Sequence, residues 1–527
     1  MSHTKSKSSN GFTFTVKKTR GYPYLYIQKV SYKRGKRKVI SYSLGSLAKI
    51  NEIFNHVMST ANTFFLGGYL INCCAEKLNL TTVLMTKLKQ TGATPRQVQL
   101  LQYLISLRTI RPFSKDKMSR FWEQSFLQTE CQISHVNELY QAMAVVTKPT
   151  ELFPHLAKQV LQQLDHQYQS VYYDTTTVFF YSDFDDLRRK GFIKKGKRGS
   201  PVVKLAVGCT EEYIPLTYKV FSGNTADITC FKDYLTVEGD PSKLIVFDSG
   251  CYSFDLVKNI EQQGYRYITS CDITKYQYLN GPQTVIIHDQ KWTLHEATYN
   301  NHRVVEAYNE ENHTKGLVKL KQRIQRVQEF AQEVKGRDRQ SKRDKIRDLI
   351  KSLGLTAILK VELQEDDDVV SLEIDAQQLE VRQQRIKVMV LMTNLTSKAE
   401  EVVERYLRRD EVERVIRYLK SPLAIRPVFH SNTDMIRSHF FLVMAGFLQL
   451  AAFRLYLKQN HQITLTLEQV LEDLNFATVM VIEPKPGIFS TYAGRQVKWI
   501  QRLLLDWKLP IIVQETPMSS SSLINPS

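Results

Sequence analysis

The sequence lacks the features that mark secreted, zinc-ribbon or nucleotide-driven proteins. Its seven cysteines form no CxxC pair and no dense framework, which excludes a disulfide scaffold and fits a reducing cytoplasm. It has no GxxxxGK loop, so ATP hydrolysis is not expected. The opening segment MSHTKSKSSNG has no apolar core of the kind that export signals carry. We therefore expect a cytoplasmic location.

Long hydrophobic runs are also scarce. The most apolar stretch, Phe440 to Phe453, is interrupted by Gln449 and is too short to span a bilayer. We predict that it forms a buried core helix, and we expect no membrane partner. What the chain does have is positive charge, since 72 Lys and Arg against 53 Asp and Glu give a formal charge of +19. Such an excess favours a polyanionic partner, with nucleic acid ahead of a membrane surface, although ribosomal and secreted proteins share it.

The N-terminal third divides into two patterns. The segments FTFTV, YLYIQKVSY and KVISYSLG predict strands, and the charged turn between the last two holds Gly35. Residues 1–50 are therefore predicted to form a small basic β-hairpin module. Apolar residues then recur with a helical period, which predicts a helical region over 51–165. That pattern leaves open whether the helical region is a plain packing module or binds a DNA end or a second protomer.

The remaining residues predict a mixed α/β sheet with flanking helices. Residues 166–271 hold apolar strand segments and one strand-helix-strand unit, and residues 399–460 hold two helices that would back the sheet. Between them, 272–398 reads as a β-rich insertion with a long charged helix from about 315 to 353. Its basic residues could follow a phosphate backbone, but a solvated face is the favoured interpretation. The C-terminal region, 461–527, ends in the low-complexity tail TPMSSSSLINPS, which we expect to be disordered.

Two acids stand where apolar strands end. Asp174 follows VYY, and Asp248 follows LIVF, so each can project from the end of a central strand, where α/β sheets build their sites. An acid in such a place is costly unless a metal or hydrogen bonds compensate it. Phosphodiester cleavage uses two hard cations about 3.5–4 Å apart that are held by carboxylates. For either residue alone, a turn-capping Asp remains the alternative.

A third acid lies on a predicted helix. At about 100° per residue, Tyr406, Arg409, Glu413 and Lys420 fall within a stripe roughly 60° wide, whereas Glu411 points elsewhere. Geometry therefore favours Glu413 as the metal-facing acid. Arg409 and Lys420 are suitable donors to phosphates, and Tyr406 can donate to a phosphate or stack on a base. The alternative is an ordinary surface helix with ion pairs such as Glu413 with Arg417.

The combination is more specific than its parts. The spacing Y-(2)-R-(3)-E-(6)-K in YLRRDEVERVIRYLK resembles the signature helix of a large group of bacterial insertion-sequence DDE transposases, and it matches at all four positions. Over roughly residues 20 to 460, further segments resemble the same group in the same order. These are YIQKVSYKRGKRKVISYSLGSL, YYDTTTVFFYS, YKVFSGNTADITCF, LIVFDSG followed by YRYITS, and KSPLAIRPVFH.

The resemblance implies a fold and a set of roles. The fold would be an RNase H-like mixed sheet with flanking helices, interrupted by a β-rich insertion. Asp174, Asp248 and Glu413 would be the catalytic triad that holds two Mg²⁺ ions, for which Mn²⁺ can substitute. The DNA-binding residues would be Tyr406, Arg409 and Lys420.

Other residues are weaker candidates. By the same resemblance, Asn224, Thr225 and Asp227 lie in a polar loop near the site, with a structural turn as the alternative. Trp292 is one candidate for holding a flipped base, and a core position is the alternative. We expect His430, and Arg426 before it, to be structural rather than catalytic. They are left out of the catalytic set.

The sequence therefore predicts a transposase that cleaves terminal inverted repeats and transfers the 3′-OH ends into target DNA. Its partners would be double-stranded DNA, as element ends and as target, and a second copy in a homodimer on paired ends. It would act in the bacterial cytoplasm, associated with the nucleoid. The alternatives are an RNase H-like nuclease that cuts without joining and an inactive DNA-binding relative, although the presence of all three acids argues against decay.

Overall fold

A computed structural model describes most of the chain. The described residues are 12–33, 36–146, 149–180, 185–191, 200–334, 339–363, 370–420, 423, 425, 428, 430, 432–485, 488–494 and 497–512. The chain divides into two compact units, one formed by residues 1–147 with 445–527 and the other by residues 148–444. Strands and helices are numbered below in chain order.

The first unit begins with an antiparallel three-stranded sheet, which confirms the predicted strands. Its members are β1 (Phe12–Thr19), β2 (Tyr22–Lys33) and β3 (Lys36–Ser46). The β1–β2 turn is tight, with φ of 52° at Arg20 and 82° at Gly21, and the glycine suits this left-handed geometry. The predicted turn at Gly35 lies outside the described residues.

The rest of the first unit combines helices from the N-terminal part of the chain with the C-terminal region. Before residue 148 it contains α1 (Leu47–Thr60), β4 (Asn62–Phe65), α2 (Gly67–Lys77), α3 (Leu80–Lys89), α4 (Pro95–Ile110), α5 (Lys115–Trp122) and α6 (Asn137–Ala144). After residue 444 it contains the end of a long helix, α15 (Thr433–His461), then α16 (Leu467–Phe476), β18 (Thr478–Lys485), β19 (Ile488–Ala493) and α17 (Lys498–Asp506).

A strand inside the predicted helical region is a difference from the sequence prediction. Strand β4 pairs with β18, and β18 pairs with β19, so a three-stranded sheet joins residues near 64 to residues near 480. The helical prediction is otherwise confirmed for α1 to α6, where caps such as the Thr94–Gln97 box define a helix start. Because pairing partners distant in sequence are not visible in local periodicity, the pattern could not reveal β4.

The second unit is built on a large mixed sheet, and a mixed α/β fold is therefore confirmed. Among the described residues the sheet has eleven strands. They are β5 (Ser170–Phe179), β6 (Arg189–Lys190), β7 (Pro201–Cys209), β8 (Pro215–Ser222), β9 (Leu244–Phe247), β10 (Arg266–Ser270), β11 (Gln277–Tyr278), β12 (Gln283–Ile287), β13 (Gln290–Tyr299), β14 (His302–Asn309) and β17 (Val388–Thr393). Its main path runs β11-β13-β14-β17-β10-β9-β5-β7-β6, with β12 beside β13 and β8 beside β7.

Helices flank this sheet. They are α7 (Pro149–Gln163), α8 (Asp227–Glu238), α9 (Phe254–Gln262), α13 (Ala399–Leu407) and α14 (Asp410–Lys420). Helices α8 and α9 bury Phe231 and Val257 in a core with Tyr173 of β5 and Phe247 of β9. Neighbouring residues of a strand point to opposite faces, so Asp174 faces away from the core that contains Tyr173. Helix α14 contacts β5 and β7.

The predicted insertion over 272–398 is not separate from the sheet. Strands β11 to β14 and β17 belong to it, because β17 pairs with both β10 and β14. The part of the insertion that does not join this sheet is made of α10 (Glu310–Glu333), α11 (Arg339–Leu353), β15 (Leu359–Leu363), β16 (Val370–Ile374) and α12 (Ala376–Arg385). The predicted single charged helix is two helices, which pack on each other through apolar residues such as Leu320, Val327 and Ile350.

The apolar run at 440–453 lies within α15, which is longer than predicted. With 29 residues, the whole of α15 is long and apolar enough by composition to cross a membrane, which the 14-residue run alone is not. Of its most apolar window, 94% is buried inside the protein, which agrees with the predicted core helix.

Candidate active site

Two of the predicted acids lie next to each other on neighbouring inner strands of the large sheet. Strands β5 and β9 are parallel, with Ser170 opposite Leu244 and Tyr172 opposite Val246. Two positions beyond the last pair, this register brings Asp174 level with Asp248. Asp174 is within β5 rather than at its end, as it pairs with Val207 of β7, whereas Asp248 directly follows β9. Parallel pairing thus brings two carboxylates from distant segments together.

The third acid comes from a helix pair rather than from the single helix that was predicted. Helix α13 ends at Leu407, α14 begins at Asp410, and Arg408 and Arg409 form a turn between them. The wheel angles for one continuous helix therefore do not apply across residue 409. Tyr406, Arg409 and Glu413 nevertheless converge, whereas Lys420 is the last residue of α14. The side chain of Glu411 lies outside what the structure describes.

Arg409 connects the acids. Its Nη1 lies 3.2 Å from Asp248 Oδ2, and its Nη2 donates to Glu413 Oε1 at 2.7 Å. The guanidinium also lies over the Tyr406 ring, 5.5 Å from its centroid. Its side chain is 16% exposed, against 43% for Asp248 and 42% for Glu413. One partly buried cation is thus paired with two more exposed carboxylates.

Asp248 is held by several donors. Its Oδ1 accepts hydrogen bonds from Ser270 Oγ at 2.7 Å, from the Ser249 backbone N–H at 2.9 Å and from the Tyr406 hydroxyl at 3.3 Å. Burial raises the pKa of Asp248, but Arg409 and these donors outweigh it, so that the pKa is lowered. Asp248 is therefore an ionised carboxylate with a fixed orientation.

Asp174 has a different environment. Burial raises its pKa to about 6, although the Thr175 N–H and Arg409 act in the opposite direction. The charges of Asp248 and Glu413 contribute to this rise, so Asp174 lies within electrostatic range of both acids and of Arg409. Three acids against one guanidinium leave an excess of negative charge that a bound cation would neutralise.

The carboxylate oxygens of the three acids are the ligand type that a hard divalent cation prefers. Their arrangement in this structure is less suited to such a cation. Mg²⁺ prefers carboxylate oxygens at about 2.0–2.1 Å. Within the described part of the chain, no group of three or more His, Cys, Asp or Glu side chains is placed to hold one ion together. The guanidinium of Arg409 contacts both Asp248 and Glu413, so its positive charge would oppose a metal ion at the same oxygens.

The comparison with known protein families decides the identity of this unit. The family described as a transposase DDE domain matches residues 166–446. The chain belongs to this DDE transposase family. The matched residues contain Asp174, Asp248 and Glu413, together with the whole α13–α14 segment. The predicted transposase enzyme is thereby confirmed.

More distant comparisons add little. No curated protein matches the transposase. Among solved structures, it is similar to the piggyBac transposase in a cryo-EM structure of its synaptic complex with hairpin DNA, with a TM-score of 0.37 and 8% sequence identity. That similarity covers 73% of the transposase described here and 71% of the other chain.

A second polar network adjoins Asp174 of the transposase. Thr175 donates its N–H to Asp174 at 2.7 Å and its hydroxyl to Asp227 at 2.5 Å. Lys204 of β7 donates to Asp227 at 2.8 Å and to the Thr225 carbonyl at 2.5 Å. The resemblance pointed to Thr225 and Asp227 but missed Lys204 and Ser270. A lysine in the apolar strand VVKLAVG was the available signal for Lys204, whereas Ser270 had none.

The remaining candidates are placed as follows. Asn224 accepts a hydrogen bond from Ser222, within the turn after β8. Trp292 is 7% exposed in β13, where it pairs with Val285, so its ring is a core side chain. The ring of His430 lies 5.9 Å from that of His439, and Arg426 lies outside the described residues. The transposase family match leaves the roles of these residues as predictions.

Proposed function

We propose that this transposase cuts DNA at the terminal inverted repeats of a bacterial insertion sequence and joins the freed 3′-OH ends to target DNA. The observation that carries the proposal is the convergence of Asp174, Asp248 and Glu413, from three distant segments, around Arg409. Cleavage and joining are both in-line displacements at phosphorus, so one acidic site can serve both steps. The Tyr406, Arg409, Glu413 and Lys420 spacing supports assignment to the signature group.

The strand arrangement supports an RNase H-like fold for the second unit. Strands β5, β7 and β8 are successively antiparallel, and β9 and β10 then continue the sheet parallel to β5. Asp174 belongs to the first of these strands and Asp248 follows the fourth. The chain adds β7 and β8 on one side of β5 and then returns to add β9 and β10 on the other side, so the two acids lie where the strand order reverses. Ligands of open α/β sheets bind at such a point.

Asp174, Asp248 and Glu413 would hold a pair of Mg²⁺ ions, and Mn²⁺ would substitute. When bound, such ions activate water and neutralise the charge that develops on the leaving oxygen. Ser270, Ser249 and Tyr406 fix the orientation of Asp248, and Thr175 fixes Asp174. These hydrogen bonds position the carboxylate oxygens before any ion arrives.

DNA would be bound by both units. In the second unit, Arg409, Lys420 and Tyr406 would contact phosphates beside the scissile bond. In the first, the sheet β1–β3 would read the element end, since Lys17, Lys18 and Lys38 are exposed on it. We further propose a homodimer on paired ends, acting in the bacterial cytoplasm on the nucleoid.

The test uses purified transposase with labelled element ends and Mg²⁺. The end sequences come from the inverted repeats that flank the reading frame. Asp174→Asn, Asp248→Asn and Glu413→Gln should each abolish nicking but leave end binding largely intact. The matched control is Asp410→Asn, which removes an exposed carboxylate from the first turn of α14 and should nick normally. Normal nicking by any of the three variants would remove that residue from the triad.

The products separate this proposal from its rivals. Joined products, in which the 3′ end of the element is linked to target DNA, are expected from the transposase. Nicking without joined products would indicate a nuclease that lacks joining activity. End binding without nicking by the unaltered protein would indicate an inactive DNA-binding relative.

A further inference from the structure

The positive charge of Arg409 lies against two of the three proposed metal ligands. Its two terminal nitrogens contact two different acids, Asp248 at 3.2 Å and Glu413 at 2.7 Å. Both contacted oxygens belong to the proposed metal ligands. Divalent ions bound at those two oxygens would lie close to the guanidinium, and positive charges at such short range repel each other strongly. Arg409 in this arrangement therefore competes with a bound ion.

The arginine is well held in this position. Its planar fork matches two acceptors at once, and the Tyr406 ring supports it from one side. Tyr406 in turn donates to Asp248, so the three side chains form a closed set of contacts. Because the side chain is 16% exposed, its charge is partly removed from water and needs these acids as partners.

Arg409 also has a route to another anion. It lies in the turn between α13 and α14, where its N–H donates to the Tyr406 carbonyl and its own carbonyl accepts from the Val412 N–H, so only rotation of its side chain is needed to reach a new partner. Asp248 and Glu413 are 43% and 42% exposed, so the guanidinium stands at an opening that solvent reaches. A phosphate offers the same bidentate acceptor geometry as the carboxylates. If the Arg409 side chain rotates, its guanidinium could bind a backbone phosphate at this opening instead of the two carboxylates.

We propose that Arg409 is the resident counter-ion of the DNA-free site, and that DNA phosphate draws it away from Asp248 and Glu413 so that divalent ions can bind. The inference rests on the proposed function and adds a coupling to it. DNA and metal would bind with positive cooperativity, and by linkage each would raise the affinity for the other by the same factor. The transposase would thus hold its metals tightly only on DNA.

The test measures Mn²⁺ binding directly, by the EPR signal of the free ion, with full-length protein. The DNA is an element-end duplex with a dideoxy 3′ terminus, which cannot be joined. For the unaltered protein we expect Mn²⁺ affinity to rise about 5- to 150-fold with DNA, the usual range of such coupling. When both proteins are free of DNA, Arg409→Gln should bind Mn²⁺ about tenfold more tightly than the unaltered protein. The further gain in Mn²⁺ affinity on adding DNA should then be smaller for the variant.

The matched control is Arg408→Gln. Arg408 is the neighbouring residue in the same turn, is exposed and pairs with Glu404, so its loss removes the same charge but leaves the acids unchanged. It should bind Mn²⁺ like the unaltered protein. Arg409→Lys provides a second variant, because an ammonium keeps the positive charge but lacks the planar bidentate geometry of a guanidinium. Its Mn²⁺ affinity without DNA is expected to lie between those of the unaltered protein and Arg409→Gln.

Two failures can be told apart. If Asp248→Asn with DNA binds as much Mn²⁺ as the unaltered protein with DNA, the proposed metal site itself is wrong. If Asp248→Asn lowers Mn²⁺ binding but Arg409→Gln and Arg409→Lys bind Mn²⁺ no more tightly without DNA than the unaltered protein, Arg409 is not the counter-ion, and the inference is overturned.

Discussion

At the scale of single residues, the two aspartates of the site have pKa values shifted in opposite directions. Burial raises the pKa of Asp174 to about 6, whereas Arg409, Ser270, Ser249 and Tyr406 lower that of Asp248 despite its burial. A fold would be more stable without a buried carboxylate that repels two others. Such local destabilisation is typical of functional sites, where a bound ligand compensates the buried charge.

The raised pKa of Asp174 predicts a pH-dependent gain on its removal. Its value of about 6 lies above the unfolded value of 3.8, so folding takes up a proton between these limits. The ionised group therefore destabilises the fold fully above pH 6, and this penalty is lost as the pH falls toward 4. Without metal, Asp174→Asn should raise Tm by about 2–4 °C at pH 7.5, and most of that gain should vanish at pH 4.5.

Calorimetry in EDTA buffer checks this prediction. Adding Mn²⁺ should reverse the order at pH 7.5, because only the unaltered protein retains its full ligand set. Asp410→Asn removes an exposed carboxylate nearby and should show no pH-dependent difference. A Tm for Asp174→Asn below that of the unaltered protein at pH 7.5 would contradict the assigned penalty.

Ser270 gives a second prediction at this scale. Its hydroxyl donates to Asp248 and accepts the Ser249 N–H, so Ser270→Ala removes an orienting contact but no ligand. Loss of such a contact typically costs about 10- to 100-fold in metal affinity or activity. Nicking should need correspondingly more Mg²⁺, with Tm unchanged, and Ser270→Thr should restore it. Ser242→Ala, on an exposed loop, is the control. An unshifted Mg²⁺ requirement would show that Asp248 needs no help from Ser270.

At the scale of elements, the sequence predicted what is local and missed what depends on packing. Apolar runs ending in Asp174 and Asp248 predicted strands whose ends meet, and parallel pairing confirmed their proximity. The break between α13 and α14 was not predicted, although a signal existed. Arg405 and Arg408 near the end of α13, followed by Asp410 and Glu411 at the start of α14, suit the dipoles of two helices. Strong helix propensity through this stretch concealed it.

The link between β7 and α8 is testable as a pair of elements. Lys204 and Asp227 are 2.8 Å apart with side chains 12% and 37% exposed, and Lys219 and Asp233 are 2.7 Å apart with side chains 20% and 43% exposed. Both pairs tie α8 to the sheet, but the first is more buried. Lys204→Met should lower the free energy of unfolding by about 1–2 kcal/mol after allowance for solvent screening, and Lys219→Met by about 0–1 kcal/mol.

Urea unfolding with a double-mutant cycle measures the difference. Removal of Lys204 leaves the Asp227 carboxylate without its strongest partner. Adding Asp227→Asn to Lys204→Met should therefore recover part of the lost free energy of unfolding. The prediction fails if the two lysine substitutions cost the same, or if the Lys204–Asp227 coupling is zero within error.

At the scale of the whole molecule, connections between distant segments lay beyond the sequence pattern. Arg303 of β14 pairs with Thr393 of β17 across all of α10 to α12, and Val479 of β18 pairs with Phe64 of β4 across most of the chain. Periodicity reports how a segment is buried but not which partner buries it. The predicted insertion therefore included strands of the central sheet, and the C-terminal region was not predicted to join the N-terminal unit. Net charge, by contrast, was available from composition, but its distribution over the fold was not.

The last prediction concerns where the charge of +19 meets DNA. Exposed basic residues lie on the sheet β1–β3, as Lys17, Lys18 and Lys38, and on α10, as Lys319, Lys321 and Arg323. Replacing either set by glutamine removes three charges from the same total, so a difference between the two variants reports position rather than net charge. Because each lost phosphate contact reduces the salt dependence of binding by about 0.9 in log–log slope, the β1–β3 variant should lose roughly 1–3 in slope for element-end DNA.

Fluorescence anisotropy over a range of salt concentrations gives these slopes, with circular dichroism as a check on folding. The α10 variant should keep the slope of the unaltered protein, since its basic residues are interpreted as a solvated face over an apolar core of its own. If the α10 variant loses the slope and the β1–β3 variant keeps it, the charged helix contacts the DNA. End recognition would then belong to the α10 to α12 segment, and the N-terminal sheet would need another role.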